Sequence, residues 1–267
     1  MLKDFKRSLT LLWLMIAVTG FLWVLTVTND TRVTWLILVA CLNGFLSMAK
    51  KDSILKELAL LSSISITVGI IALKMNILPA VYSFSGLKTS LHAPAFSIVS
   101  NTTKMALALL FLPLISSLTD KKATNLPLTS LIYIIIAYLM VASGMLITFA
   151  LLVNYIKFDF TYPSFFSIWL LNMLWICFSE EILFRGVVQN YLCRLLVNQR
   201  DLAVLAASLI FGLGHWGFGF NMVALSTAAG LFYGFLYKTT RRLWCPMVLH
   251  FGINLIHFIF FSYPYYI

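Results

Sequence analysis

The chain reads as an all-α, polytopic transmembrane helix bundle of about eight to nine spans, with its N-terminus cytoplasmic. Three observations carry that reading. First, 61% of its 267 residues are hydrophobic and 10% are charged, where a soluble domain carries about 25% charged residues. Second, the mean hydropathy is +0.95, and apolar runs of near-span length recur from one end to the other, a helical crossing needing about 20 residues. Third, the basic residues between those runs fall unevenly on alternate sides.

The runs lie at about 9–28, 33–49, 54–73, 95–118, 128–153, 164–188, 202–217, 221–237 and 243–262. The first follows Lys3, Lys6 and Arg7 and superficially resembles a signal peptide. No small-residue cleavage site follows and further runs do, so it is read as a first transmembrane helix. Residues 74–94, with Pro79, Gly86, Pro94 and several serines, form an irregular or interfacial loop in which His92 is solvated. Lys104 falls inside the fourth run and snorkels. Between the seventh and eighth runs, Gly212, Gly214, Gly217 and Gly219 make a flexible connection. Tyr263 to Tyr266 fit an outer interfacial anchor.

Lys3, Lys6, Arg7, Lys50, Lys51, Lys56, Lys121, Lys122, Arg194, Arg200, Lys238, Arg241 and Arg242 fall on one side of the alternation, thirteen in all. Arg32, Lys74, Lys88 and Lys157 fall on the other, four in all. Positive residues stay cytoplasmic, which places the N-terminus inside and, with nine spans, the C-terminus outside. The same bias accounts for the net charge of +10 as topology and anionic-lipid attraction, so nucleic acid is not an expected partner. Cys41, Cys177, Cys193 and Cys245 are scattered without a CxxC spacing, which indicates neither a zinc ribbon nor a disulfide framework. No internal repeat stands out, against transporters built from repeated halves.

Ionisable chemistry is concentrated late, which divides the chain into N-terminal helices of unknown role (1–160) and a chemistry-bearing core (161–267). The whole sequence has three glutamates, Glu57, Glu180 and Glu181, and two stand together at the end of an apolar stretch. A carboxylate near the bilayer centre costs about 2.5–3.5 kcal/mol on insertion scales. Glu181 and Arg185 are four residues apart, so one helix face pairs them, while Glu180 points about 100° away. That leaves one carboxylate neutralised by the arginine and one available as a base. A second cluster is Phe211-Gly212-Leu213-Gly214-His215, and a third is His250-Phe251-Gly252-Ile253-Asn254. His250 and Asn254 are again four apart, and Gly212, Gly214 and Gly252 allow close helix approach beside them. His257 lies on nearly the same face as His250 and is read as structural.

EExxxR, FxxxH and HxxxN in this order resemble the signature of the CPBP intramembrane proteases, the family of CAAX prenyl-protein endopeptidases and bacteriocin-processing enzymes. Leu243-Trp244-Cys245-Pro246-Met247-Val248-Leu249-His250 also resembles that family's approach to its last motif. The likeness covers about residues 165–257 and leaves the first five runs without a counterpart. It implies an intramembrane endopeptidase acting on a membrane-associated protein or peptide. The substrate class stays open among prenylated C-termini, leader peptides and C-terminal sorting signals. It further implies Glu180 as catalytic glutamate, His215 as its partner in activating water, and Glu181 and Arg185 as a supporting pair, with Phe211 beside them. His250 and Asn254 would hold the tetrahedral oxyanion. The residue types agree, since peptide hydrolysis needs a base for water and donors aimed at the developing oxyanion.

No cofactor is required by these residue types. Zn²⁺ is an alternative with Glu180, His215 and His250 as candidate ligands and Asn254 behind them, although no HExxH occurs. A proton-coupled transporter, or a non-catalytic immunity or scaffold protein, are the competing functions. The expected location is an integral, multi-pass position in the membrane, the inner or plasma membrane in a bacterium. One tension stands in this reading. Counted along the runs, His215 falls toward the outer side, whereas Glu180 and His250 fall nearer the inner side.

Overall fold

The computed structural model describes residues 63, 64, 67, 78, 80–118, 125–196 and 198–267. The first two expected spans and nearly all of the third lie outside the described residues. The chain divides into two compact units, residues 1–79 with 102–117, and residues 80–101 with 118–267. In the first, helix α1 (Thr102–Leu118) begins at a pair of threonines. Thr102 Oγ1 donates to the Leu78 carbonyl (3.2 Å) and Thr103 Oγ1 accepts from the Leu78 amide (2.9 Å).

The second unit is mostly helical. It opens with an antiparallel hairpin of β1 (Ser83–Leu87) and β2 (Phe96–Val99), which departs from the all-α expectation. The fourth apolar run therefore begins as a strand and becomes helix only at Thr102. Hydropathy alone does not separate a short apolar strand from a helix, and Phe96-Ser97-Ile98-Val99 carries the strand alternation, with Ile98 buried and its neighbours less so. Lys104 accordingly sits in the first turn of α1, not in mid-span.

The helices that follow are α2 (Leu128–Leu152), α3 (Phe166–Glu181), a π-helical segment (Ile182–Gln189), α4 (Asn190–Leu195), α5 (Arg200–Leu213), a short 3₁₀ turn (Trp216–Phe218), α6 (Phe220–Thr240) and α7 (Trp244–Phe260). α3, the π segment and α4 run on as one helical rod, Phe166–Leu195, which with Leu128–Leu152 and Phe220–Thr240 is long and apolar enough to cross a membrane. α2 exposes Ile132, Ile136, Met140, Met145 and Leu152, a stripe suited to lipid. α7 and the start of α1 are shorter apolar helices.

α5 and α6 form an antiparallel hairpin whose contact is made by small residues. A Cβ on Gly230 would stand 3.1 Å from that of Ser208, and one on Gly234 would stand 2.7 Å from Val204 Cγ1. One on Gly212 would come within 2.8 Å of the Val223 carbonyl. Gly252 faces Leu139 of α2 (3.1 Å). Gly214 meets only carbonyls of its own turn, so its place is in a turn and not at a helix crossing.

The hairpin and the C-terminal tail close one end of this unit. Ile98 joins Trp169, Met173, Cys177 and Phe258 in a buried cluster, where the Trp169 and Phe258 rings stack at 3.8 Å. The Tyr82 hydroxyl donates to Asn172 Oδ1 (3.0 Å). The tail returns across it, with Tyr266 N–H donating to the Tyr155 carbonyl and Ile267 N–H to the His92 carbonyl. Tyr263 packs on Phe96, Trp169 and Phe258. His92 is exposed, as expected.

Candidate active site

The rod ends its α-helical part at Glu181 and continues as eight residues of π-helix, every one buried. π segments are rare and concentrate at functional sites. Two amides pin this one to α6. Gln189 Nε2 donates to the Gly234 carbonyl (3.0 Å), and Asn190 Nδ2 donates to the Gly186 carbonyl and to Tyr237 Oη (2.9 Å each).

Glu181 is fully buried and takes two charged or polar donors. Arg185 Nε donates to Oε2 (3.1 Å) and His250 Nδ1 to Oε1 (2.9 Å). The expected Glu181–Arg185 pair is present, and the same carboxylate also holds His250, a link the sequence reading did not make. With Nδ1 committed to Glu181, His250 turns Nε2 toward Glu180 Oε2, 3.9 Å away. That spacing exceeds a direct hydrogen bond and suits one bridging water. Glu180 and His250 are both buried.

The Arg185 guanidinium is wholly buried, and its Nη1 and Nη2 make no hydrogen bond. Two ring faces stand near it instead, Phe211 with its centroid 5.3 Å from Cζ and Tyr233 at 5.8 Å. Cation–π attraction grows when the cation is desolvated.

His215 stands at the end of α5, in the turn before the 3₁₀ segment, and is half-buried. Its Nδ1 lies 2.9 Å from the Phe211 carbonyl. A carbonyl only accepts, so Nδ1 carries the proton and Nε2 the lone pair of the neutral ring. Phe211 joins the two histidines, its ring 4.8 Å from His215 and 5.8 Å from His250. Asn254 stands one turn beyond His250 on α7, with Nδ2 against Met173 Sδ (3.3 Å) and Cys177 Sγ (3.7 Å) of α3. Both sulfurs are weak acceptors. His257 faces away from this cluster, Nε2 lying 3.3 Å from the Ser262 carbonyl.

Glu180 and His215 come to similar depths in the folded chain. The rod extends to Leu195, so Glu180 lies about 22 Å along it from that end at 1.5 Å per residue. His215 lies about 22 Å from the start of α5 at Arg200 by the same rise. α5 rises beside α6 from the Lys238–Asp201 ion pair. The run at 164–188 ended the rod seven residues early, because α4 continues it to Leu195.

For a metal, Glu180 and His250 present two donors 3.9 Å apart. Among the described residues no three His, Cys, Asp or Glu side chains stand together as a ligand set. No step below runs through a metal.

Residues missed by sequence reasoning are Tyr233, Gln189, Asn190 and Cys177. Tyr233 belongs to a face of α6 shared by Gly230, Gly234 and Tyr237, spaced three, four and seven residues apart, and all four are buried. That helical spacing is the signal that could have found it.

Residues 162–256 match the family described as type II CAAX prenyl endopeptidase Rce1-like, nearly the stretch marked by the three motifs. Uncharacterized protein YpbD of Bacillus subtilis (strain 168) is 33% identical over 85 residues, which are 31% of this chain and 40% of that protein. The chain thus spans well under half the length of that relative. No solved structure matches the chain. Three membrane-length apolar helices among the described residues, together with the matched segment, mark an integral membrane protein.

Proposed function

We propose that this protein is an intramembrane endopeptidase that hydrolyses a peptide bond in a membrane-associated protein or peptide, of the CAAX, leader-peptide or sorting-signal kind. The observation that carries the reading is the buried pair of Glu180 Oε2 and His250 Nε2, 3.9 Å apart, with His250 held from behind by Glu181. The match of residues 162–256 to CAAX prenyl endopeptidases supports it.

In this mechanism Glu180 takes a proton from water, and the hydroxide adds to the scissile carbonyl carbon. His215, with its lone pair on Nε2, orients that water. The oxyanion then formed receives hydrogen bonds from the Asn254 amide and from His250 Nε2–H. Because His250 Nδ1–H already binds Glu181, a proton on Nε2 makes the ring an imidazolium, and Glu181 is its counter-charge. Collapse of the intermediate breaks the C–N bond, and Glu180 returns the proton to the leaving amine. Base catalysis of this kind contributes about 10²–10⁴-fold. Asn254 rests on two sulfurs, so an oxyanion is a better acceptor than its present partners. Water activation needs no metal here. Zinc analysis of the purified protein tests this, since stoichiometric metal whose removal abolishes cleavage would overturn it.

Peptide enters from the side of His215, whose turn also exposes Trp216 and Phe218. The protein sits in the membrane with about eight to nine spans and its N-terminus in the cytoplasm, in the inner or plasma membrane of a bacterium. It takes no nucleic acid. The test compares membranes from cells carrying the wild-type chain or Glu180→Gln at matched abundance, by terminal-peptide proteomics. A new terminus seen only with wild type is the expected result. No difference, with both proteins inserted, moves the weight to a transporter or immunity role.

A further inference from the structure

We infer that Tyr233, on a helix that carries none of the three motifs, is the positioning residue that sets the plane of the His250 ring. The inference rests on the proteolytic reading above for its consequence in catalysis, and on geometry alone for its consequence in the ring. Side-chain hydrogen bonds with Glu181 and Cys177 hold the imidazole by its edge. They leave the plane of the ring able to rock, and such rocking carries Nε2 away from Glu180. Tyr233 removes this freedom, its ring lying 4.6 Å from that of His250 at an interplanar angle of 20°. Phe211 closes a second side edge-on, at 5.8 Å and 89°, and itself meets Tyr233 at 6.1 Å. Stacked and edge-to-face contacts of this kind are the preferred aromatic geometries.

Tyr233 is itself held on three sides. It is buried, at 2% exposure. The Arg185 Cζ stands 5.8 Å from its centroid. Its neighbour Gly234 receives the Gln189 amide of the π segment through its carbonyl. The π segment, α6 and α7 are therefore registered against one another at Tyr233, which touches the arginine of the first motif, the phenylalanine of the second and the first histidine of the third.

The ring, and not the hydroxyl, does this work, so Tyr233→Phe and Tyr233→Leu separate it from simple packing. Leucine keeps an apolar side chain but offers no flat face. The full-length protein is purified in lipid nanodiscs, and cleavage of a quenched peptide with a prenylated CAAX terminus is measured. The Tyr233→Leu variant is expected to lose about ten- to a hundredfold in kcat with KM within about twofold, since loss of orientation acts on the chemical step. The Tyr233→Phe variant should stay within about threefold of wild type in kcat. Carbethoxylation of His250 by diethyl pyrocarbonate is read in parallel by mass spectrometry, with His215 as internal reference. It should accelerate several-fold in Tyr233→Leu and not in Tyr233→Phe. Equal kcat for wild type and Tyr233→Leu overturns the inference, as does an equal loss in both variants. If wild type leaves this peptide intact, the prenylated C-terminus is removed as the substrate, and the labelling alone decides on Tyr233. Equal His250 labelling in all three proteins then overturns the role of Tyr233.

Discussion

Glu181 and Asn254 make different demands on the same site, and substitution separates them. Glu181 is wholly buried between Arg185 and His250. Removing one partner of a buried ion pair leaves an uncompensated charge and costs about 3–5 kcal/mol. Glu181→Ala is therefore expected to lower folded yield and the thermal midpoint as well as activity, read by melting in detergent. Asn254 is half-buried and, among the described residues, bonded to one thioether and one thiol sulfur. Asn254→Ala should leave the midpoint nearly unchanged and lower kcat by about 10²–10³-fold, the usual effect of removing one oxyanion donor. Equal melting and equal kcat in Asn254→Ala would remove the amide from the mechanism. At this scale the sequence is informative, because ionisable residues in lipid are costly enough to stand out. Glu180, Glu181, Arg185, His215 and His250 are all legible that way. Tyr233 is not, because a tyrosine within an apolar helix resembles ordinary core or interfacial packing.

The elements were legible where one hydrophobic period runs unbroken, as in α2. They were not where backbone geometry changes inside a continuous apolar stretch. The π segment Ile182–Gln189 carries an ordinary helical pattern, with Arg185 and Gln189 four residues apart, so hydropathy does not separate it from the α-helix that it continues. β2 hides within a run whose later part is helical. Two predictions belong to these elements. A side chain at Gly234 has no room between Val204 Cγ1 at 2.7 Å and Gln189 Oε1 at 3.0 Å. Gly234→Leu must part α5 from α6 and break the amide that pins the π segment, so it should destabilise by about 1–3 kcal/mol or more and lower activity with it. By contrast, Tyr82→Phe unlinks the β-hairpin from Asn172 at a cost of about 1 kcal/mol. The cleavage rate should not move, because Asn172 lies about 12 Å along α3 from Glu180. A large fall in kcat with Tyr82→Phe would couple that end to the site.

Among the described residues of the second unit, the basic residues other than the buried Arg185 separate to opposite ends. Arg194, Arg200, Lys238, Arg241 and Arg242 gather where α4 ends, α5 begins, α6 ends and α7 begins, and the Lys238–Asp201 pair joins two of these termini. Lys157 lies at the far end, stacked over Tyr266 and bonded through its carbonyl to Ser262, beside the hairpin that carries Lys88. This arrangement gives the positive-inside assignment a definite test. α2 has 25 residues and is about 37 Å long, enough to cross a hydrocarbon core of about 30 Å. Its two flanks must then face different compartments. In a cysteine-free background, Lys157→Cys should react with a membrane-impermeant maleimide in intact cells. Lys122→Cys, before α2, should react only after the membrane is opened. The reverse labelling would invert the molecule and bring the CAAX-type site to the outer face. Labelling of both in intact cells would remove α2 as a crossing. Since His250, 3.9 Å from Glu180, lies about 9 Å along α7 from the basic end, the first outcome sets the reacting water inside the bilayer on its cytoplasmic side. A cytoplasmic substrate tail must then be drawn down to it, past the exposed aromatics of the His215 turn.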